Sequence, residues 1–400
     1  MTSEWQETNW GEIATLEYGK SLKNYKTDSA PIPVYGTNGP IGFTNEALCK
    51  HPGVIIGRKG AYRGVHYSSV PFFVIDTAFY LKPINLNELD LKFCYYKLLI
   101  QDINRLDNGS AIPSTSRDDF YQMELELPPV DEQLRITKAL ECLDSKIANL
   151  QKQNQTLEKI VQTLFKQWFI DFNFPDENGK PYKDNGGEMA GSELGEIPKK
   201  WQVTKLEEIA VLRSGYAFKS SDFVDAAANK VLKIKNLKGK GKIDLSSSSS
   251  VSRKIVQLDR VKFFKLEPHD IVLAMSGNTT GKIGLVPIHD DQLFLNQRVG
   301  KFFMIDEKYK LFLYLFLMAS NYENKILKMG YGTAQPNINP VQIGNIDFII
   351  PSNEVLHIFK HIVEPMLNKI LKNDHNIQIL TKTRDTLLPK LMSGQIRVSD

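Results

Sequence analysis

Between residues 131 and 172 the apolar positions fall on a heptad. Ile136, Leu140, Leu143, Ile147, Leu150, Leu157, Val161, Leu164 and Trp168 follow in alternating steps of four and three, with Asn154 as the one polar member. Such steps keep a single stripe along one helix face, so the spacing predicts one long helix with a coiled-coil seam. A second stripe lies 223 residues further on, at Phe359, Val363, Met366, Ile370, Ile377, Leu380, Leu387 and Leu391, with Asn373 and Arg384 as its polar members. Pro365 near its start predicts a local irregularity, because proline lacks the N–H that the helix ladder needs. Elsewhere short apolar runs such as 53–56 and 270–273 read as strands, and helices are predicted over roughly 87–105 and 307–328. Strands and helices mixed in this way give class α+β.

The chain is also written twice. Trp5-Gln6-x-Thr8 followed by Glu12-Ile13-Ala14-x-Leu16-x-x-Gly19 returns as Trp201-Gln202-x-Thr204 followed by Glu208-Ile209-Ala210-x-Leu212-x-x-Gly215, at a constant offset of 196 residues. Gly109-x-Ala111-x-Pro113 with Pro128 returns as Gly332-x-Ala334-x-Pro336 with Pro351, at an offset of 223. A repeat this long is a whole domain with an appended helix, not a solenoid unit of 20–50 residues. The expected organisation is two homologous domains at 1–130 and 201–352, helices at 131–172 and 353–393, a Gly-, Pro- and Asn-rich connecting loop or hairpin at 173–200, and a tail at 394–400. The growth in offset places added residues inside the second domain, and its lysine- and serine-rich part, which includes the low-complexity run 246–250, is the expected location.

Each apolar stripe needs a partner, and the duplication supplies one in cis. Two units related by a pseudo-twofold axis must pack their helices antiparallel, so that facing residue numbers total about 527 and Asn154 falls opposite Asn373. A matched polar pair in an apolar seam fixes register at some cost in stability. The competing reading is that each asparagine simply reaches solvent.

Composition narrows the class. Four hundred residues with 42% hydrophobic and 24% charged content suit two or three globular domains. The net charge of +4 is too mild to indicate nucleic acid by itself. Its distribution says more: Lys230, Lys233, Lys235, Lys238, Lys240, Lys242, Arg253, Lys254, Arg260, Lys262 and Lys265 are opposed by only Asp244 and Asp259 between 229 and 265. That excess can neutralise a phosphate backbone, although a solvated basic face is the bland alternative. Cys49, Cys94 and Cys142 form no CxxC pair and argue against a disulfide scaffold or zinc site. No signal segment opens the chain and the apolar run 311–319 is too short to span a bilayer, so a cytoplasmic protein with no membrane partner is expected.

Catalytic signatures fail one by one. Residues 276–282 resemble a phosphate loop, but Ser276 stands where glycine is required and Ile283 where Ser or Thr is required. Pro128-Pro129 is not the Pro-Pro motif of an amino methyltransferase. His357 and His361 share a helix face without the HExxH glutamate. No catalytic residue, metal site or cofactor is expected in this chain.

What remains is basic and polar loop chemistry on two related domains. Arg58, Lys59, Tyr62 and Arg63, spaced by Gly60 and Gly64 after a strand, suit entry into a DNA groove and contact with guanine O6 and N7. Lys20, Lys23, Tyr35, Asn38, Ser114, Ser116 and Arg117 complete the first candidate face. The comparable turn in the second domain offers Ser276, Asn278, Thr279 and Lys282, the last three expected to be exposed. Tyr216, Lys219, Lys235, Asn236, Lys238, Gln297, Arg298, Tyr331, Gln335, Asn337 and Asn339 accompany them. For any single residue a surface or structural role competes with DNA contact.

These motifs together are familiar. The duplicated Trp-Gln…Glu-Ile-Ala…Gly block, residues 109–116 with 332–339, Pro128-Pro-Val-Asp-Glu-Gln133, Lys166-Gln-Trp-Phe-Ile-Asp-Phe172, Gly179-Lys-Pro-Tyr182 with Gly186-Gly-Glu-Met189, and Leu387-Leu-Pro-Lys-Leu-Met-Ser-Gly394 carry the resemblance. Over essentially its whole length the chain resembles the specificity subunit of type I restriction-modification enzymes. The resemblance implies two target-recognition domains, each reading half of a split double-stranded DNA sequence, held apart by an antiparallel helix pair. A seam of about 33 residues is roughly 50 Å long, against roughly 34 Å for a DNA turn. It further implies docking of two modification subunits, which carry methyl transfer and S-adenosylmethionine, and of ATP-dependent restriction subunits. A related double-cutting or methylation-only system, or a coiled-coil scaffold without DNA, are the alternatives.

Overall fold

The computed structural model describes residues 5–25, 30–106, 113–319, 326 and 338–398. Contacts divide the chain into two compact units, Met1–Ala148 with Ile379–Asp400 and Asn149–Gln378. The cut therefore falls inside both long helices instead of at their ends. The reason lies in the stripes, since each globular domain buries its own apolar face against a nearby stretch of helix.

In the first unit, a four-stranded antiparallel sheet runs in the order Ala14–Tyr18, Ala78–Pro83, Gly53–Gly57, Val65–Ser68. A smaller sheet runs in the order Gly39–Thr44, Ile32–Gly36, Phe73–Val74, the last two parallel. Trp10, Leu16, Val54, Ile56, Phe79, Leu81 and Phe120 form the core against the four-stranded sheet. Helix Leu91–Leu99 starts where Asp90 accepts hydrogen bonds from the Lys92 and Phe93 N–H groups. Its Phe93 and Tyr96 pack on Ile136, Leu140, Leu388, Leu391 and Met392. Ionic contacts close this unit: Arg397 pairs with Glu132 at 2.6 Å, Arg384 with Asp144 at 2.9 Å, and buried Lys97 donates to the Met392 carbonyl at 2.7 Å.

The second unit repeats the sheet strand for strand, as Ala210–Ser214, Val299–Met304, Ile271–Ala274, Ile283–Leu285. Its register matches: Ala14 faces Pro83 and Ala210 faces Met304, while Ile56 faces Phe79 and Leu273 faces Gly300. The parallel pair of the smaller sheet also recurs, with Val34 beside Phe73 and Val231 beside Phe294. The offset is thus 197 at Val231 but 217 at Leu273, which locates most of the added residues between them. That stretch holds the hairpin Leu237–Gly239 and Lys242–Ile243, strands Ser249–Val251 and Lys265–Leu266 and two one-turn helices; with Phe223–Val224 before it, the small sheet has five strands. The repeated glycine has one cause in both copies. A Cβ on Gly19 would lie 2.0 Å from the Ile75 carbonyl oxygen, and one on Gly215 2.3 Å from that of Leu295.

One long helix spans Val130–Phe165 and continues through a π-helical turn, Lys166–Ile170. The other is Asn353–Met392, unbroken at Pro365. Pro365 removes one ladder donor, and because Pro365 and His361 are both exposed the carbonyl that loses it stays on the water side and the helix runs on. The first predicted flanking helix is shorter than expected, at Leu91–Leu99, and the second is described over Lys310–Ala319. In the second unit Val161, Phe165, Trp168 and Phe169 pack on Phe312, Phe359 and Val363, with Phe169 4.7 Å from the rings of both Phe312 and Phe359. Residue numbers rise along one helix and fall along the other, which makes the pair antiparallel.

Phe169→Ala should lower stability by about 3–5 kcal/mol, the usual cost of a large aromatic deleted from a close-packed core. Ile160→Ala, at a position 40% exposed, should change it by less than about 0.5 kcal/mol. Urea denaturation of the two variants checks the difference.

Candidate nucleic-acid interface

Four loops meet at one edge of the first domain's main sheet, held by backbone hydrogen bonds. Gly19 donates to Ala78, Lys20 to Val74, Arg58 and Lys59 to Thr77, Gly60 to Pro113, and Thr115 to Arg58. Thr115 adds a buried hydroxyl bond to the Gly57 carbonyl at 2.9 Å. The second domain uses the same frame: Gly215 donates to Val299, Gln297 to Tyr216, and Ile338 to Met275. Gly19 and Gly215, and likewise Thr115 and Ile338, are repeat partners, so Arg58 corresponds to Met275 and Lys59 to Ser276. A common backbone frame therefore presents different side chains in the two copies.

In the first domain, Lys20, Lys23, Asn38, Lys59 and Tyr62 are exposed. Arg58 and Arg117 are half-buried, each with its guanidinium over the Tyr18 ring, at 4.8 and 4.7 Å. Each also donates one N–H to a backbone carbonyl, Arg58 to Asp76 at 2.9 Å and Arg117 to Leu16 at 3.3 Å. Ser114 is half-buried and bridges the backbone of Lys59. Tyr35 lies in a strand with its ring edge-on to Phe72.

Burial takes Arg63 and Asn236 off the candidate face, and Ser116 and Asn339 hold helix starts. Arg63 is 2% exposed, and its guanidinium is spent on the Gly60 and Asn104 carbonyls. A charge so placed braces the loop and cannot reach a groove. Ser116 caps helix Arg117–Gln122 by accepting from the Asp119 N–H, and Asn339, its repeat partner, caps Pro340–Gly344 by accepting from the Val341 N–H. These are the orphan donors of a helix start, which short polar side chains satisfy. Asn236 is fully buried, accepting from the Lys233 N–H and donating to the Asp244 carbonyl.

Lys219, Lys235, Lys238, Asn278, Gln297 and Arg298 are exposed in the second domain. Lys238 is paired with Asp244 at 3.4 Å. Thr279 and Lys282 are half-buried rather than exposed, because Thr279 donates to the Ile234 carbonyl and folds the turn inward. The Ser276 hydroxyl is shielded from solvent. Tyr216 is half-buried with the Arg260 guanidinium 5.7 Å from its ring. Tyr331, Gln335 and Asn337 lie outside the described residues. Tyr18 was not among the sequence candidates; its one signal there is an aromatic at the residue before Gly19, where the repeat has Ser214.

The helix seam of the second unit brings Asn154 and Asn373 together. Asn373 donates to Asn154 Oδ1 at 2.8 Å, and Asn154 donates to Asp374 at 2.7 Å and to the Ile370 carbonyl at 3.2 Å. Both asparagines are buried. Burial holds the Asp374 carboxyl above the usual range; the Asn154 hydrogen bond and the Lys242 charge oppose this and Glu158 adds to it. Among the described residues, no group of three or more His, Cys, Asp or Glu is placed to hold a metal ion, and no helix is long and apolar enough to cross a membrane.

A family model described as a type I restriction modification DNA specificity domain matches residues 2–159 and again residues 198–381. The MjaVIII type I restriction enzyme specificity subunit of Methanocaldococcus jannaschii is 30% identical over 318 residues, 78% of this chain and 72% of that protein. The HindI specificity subunit of Haemophilus influenzae is 25% identical over 375 residues, 81% of each. A solved S subunit of a type I restriction-modification system from M. genitalium has a TM-score of 0.71 at 20% identity, covering 97% of this chain and 96% of that one, and so shares the fold.

The Asp374 environment carries a pH dependence. A carboxyl whose folded pKa is raised holds its proton more tightly in the folded state, so its contribution to stability grows as pH falls from neutral through that pKa. The stability of the native chain relative to Asp374→Asn should therefore rise toward acid, as read by denaturation midpoints at a series of pH values. A difference that does not vary with pH contradicts the assignment.

Proposed function

Since the chain belongs to the type I restriction modification DNA specificity family, we propose that it is the specificity subunit of such an enzyme, acting in the cytoplasm on double-stranded DNA. Each of its two domains reads one part of a split sequence. The observation that carries this reading is the shared backbone frame with unlike side chains, Arg58 and Lys59 in one copy against Met275 and Ser276 in the other. A fixed frame keeps both readers in the same posture, while divergent loops select different bases. The exposed lysines supply sequence-independent attraction to phosphates.

The chain itself contributes no catalytic step in this reading. It docks two modification subunits, which bind S-adenosylmethionine and transfer the methyl group, and restriction subunits that use ATP. The same residues suit a related system that only methylates or that cuts on both sides of its site.

Mapping methylated bases in the host genome with and without this chain tests the proposal. The wild type should methylate a single split motif that vanishes on deletion. Two unrelated short motifs, or methylation unchanged by the deletion, count against it. Binding of DNA by the intact complex should also weaken steeply with salt, since each phosphate contact releases counterions.

A further inference from the structure

Tyr18 ends the strand Ala14–Tyr18, is 47% exposed, and rests edge-on against Phe79 with ring centroids 5.0 Å apart. Two guanidiniums lie over this one ring. Among the described residues no carboxylate pairs with either Arg58 or Arg117. Two like charges gathered on one aromatic ring without a counterion are costly unless something outside the chain completes them. Each guanidinium has five N–H donors and spends one on a backbone carbonyl, which leaves donors free and the plane of the fork fixed.

Fixed orientation suits a base edge, where direction as well as charge decides the contact. Charge for the phosphates is already supplied on flexible stems by exposed Lys20 and Lys59 beside the cluster. A planar pair of acceptors such as guanine O6 and N7 needs a fork held in one plane. We propose that Tyr18 is a positioning residue for the first domain, holding Arg58 and Arg117 so that they receive a guanine edge in the major groove. The inference rests on the DNA-reading function proposed above.

The second domain does not carry these residues at the equivalent positions. The repeat places Ser214 where Tyr18 stands, Met275 where Arg58 stands and Pro340 where Arg117 stands. Ser214 and Met275 do meet, with Ser214 Oγ 3.9 Å from the Met275 sulfur, so the positions are equivalent in space while the chemistry is not. The effect of Tyr18 belongs to one half of the target only.

The test replaces the chromosomal allele with Tyr18→Leu or Tyr18→Phe and maps methylated bases, with soluble chain measured in each strain. Tyr18→Leu should lose discrimination at one or two guanine positions of one half-site by about 10–100-fold, the worth of a bidentate arginine contact. The other half-site should be unchanged, and Tyr18→Phe, which keeps the ring, should retain the wild-type motif. An unchanged motif in Tyr18→Leu overturns the inference. So does a uniform loss at all sequences, which indicates a phosphate contact, or a Tyr18→Phe strain that behaves like Tyr18→Leu. A wild type without a split motif overturns the DNA reading itself and the inference with it.

Discussion

A long helix with an apolar stripe on one face is stable in water only if the stripe is covered. In each unit of this chain the cover comes from two sides, a facing stretch of antiparallel helix and the globular domain. Phe93 and Tyr96 do this over Ile136, Leu140 and Leu388 in one unit, and Phe312 does it beside Phe165 and Phe359 in the other. The sheets, their loops and hence the candidate reading face are anchored through these contacts. Loss of the seam would release the domains from their support before it touched any loop.

Hydrophobic contact alone leaves register loosely specified, since a shift by one heptad preserves the apolar stripe. The Asn373–Asn154 hydrogen bond, with Asp374 and the Ile370 carbonyl, selects against such shifts because each would bury unpaired amide groups. In the first unit Arg384–Asp144 does the same between the two helices, while Arg397–Glu132 ties the tail after the C-terminal helix to the start of the central one.

Much of this was legible in the sequence because periodicity and repetition are properties of position. The heptads located both helices, and the two offsets located the insertion in the second domain, which the strand registers narrow to the stretch between Val231 and Leu273. The candidate site was less legible, because residue type does not report where a side chain points. Arg63 and Asn236 have the chemistry of DNA readers, yet the loops they sit in have carbonyls and N–H groups to satisfy, and those took precedence. Ser116 and Asn339, candidates in the first and second domain, stand at equivalent repeat positions, and both start a helix. Tyr18 was missed because an aromatic at a strand end looks like core; only the placement of Arg58 and Arg117 over its ring gives it another meaning.

The central claim is that one duplicated frame carries two independent readers. Exchanging the loops of the second domain between 229 and 298 for those of a relative, and mapping methylated bases in the host, tests it most directly. The account predicts that one half of the split motif changes while the other half stays as it was. A change in both halves, or in neither, would contradict it.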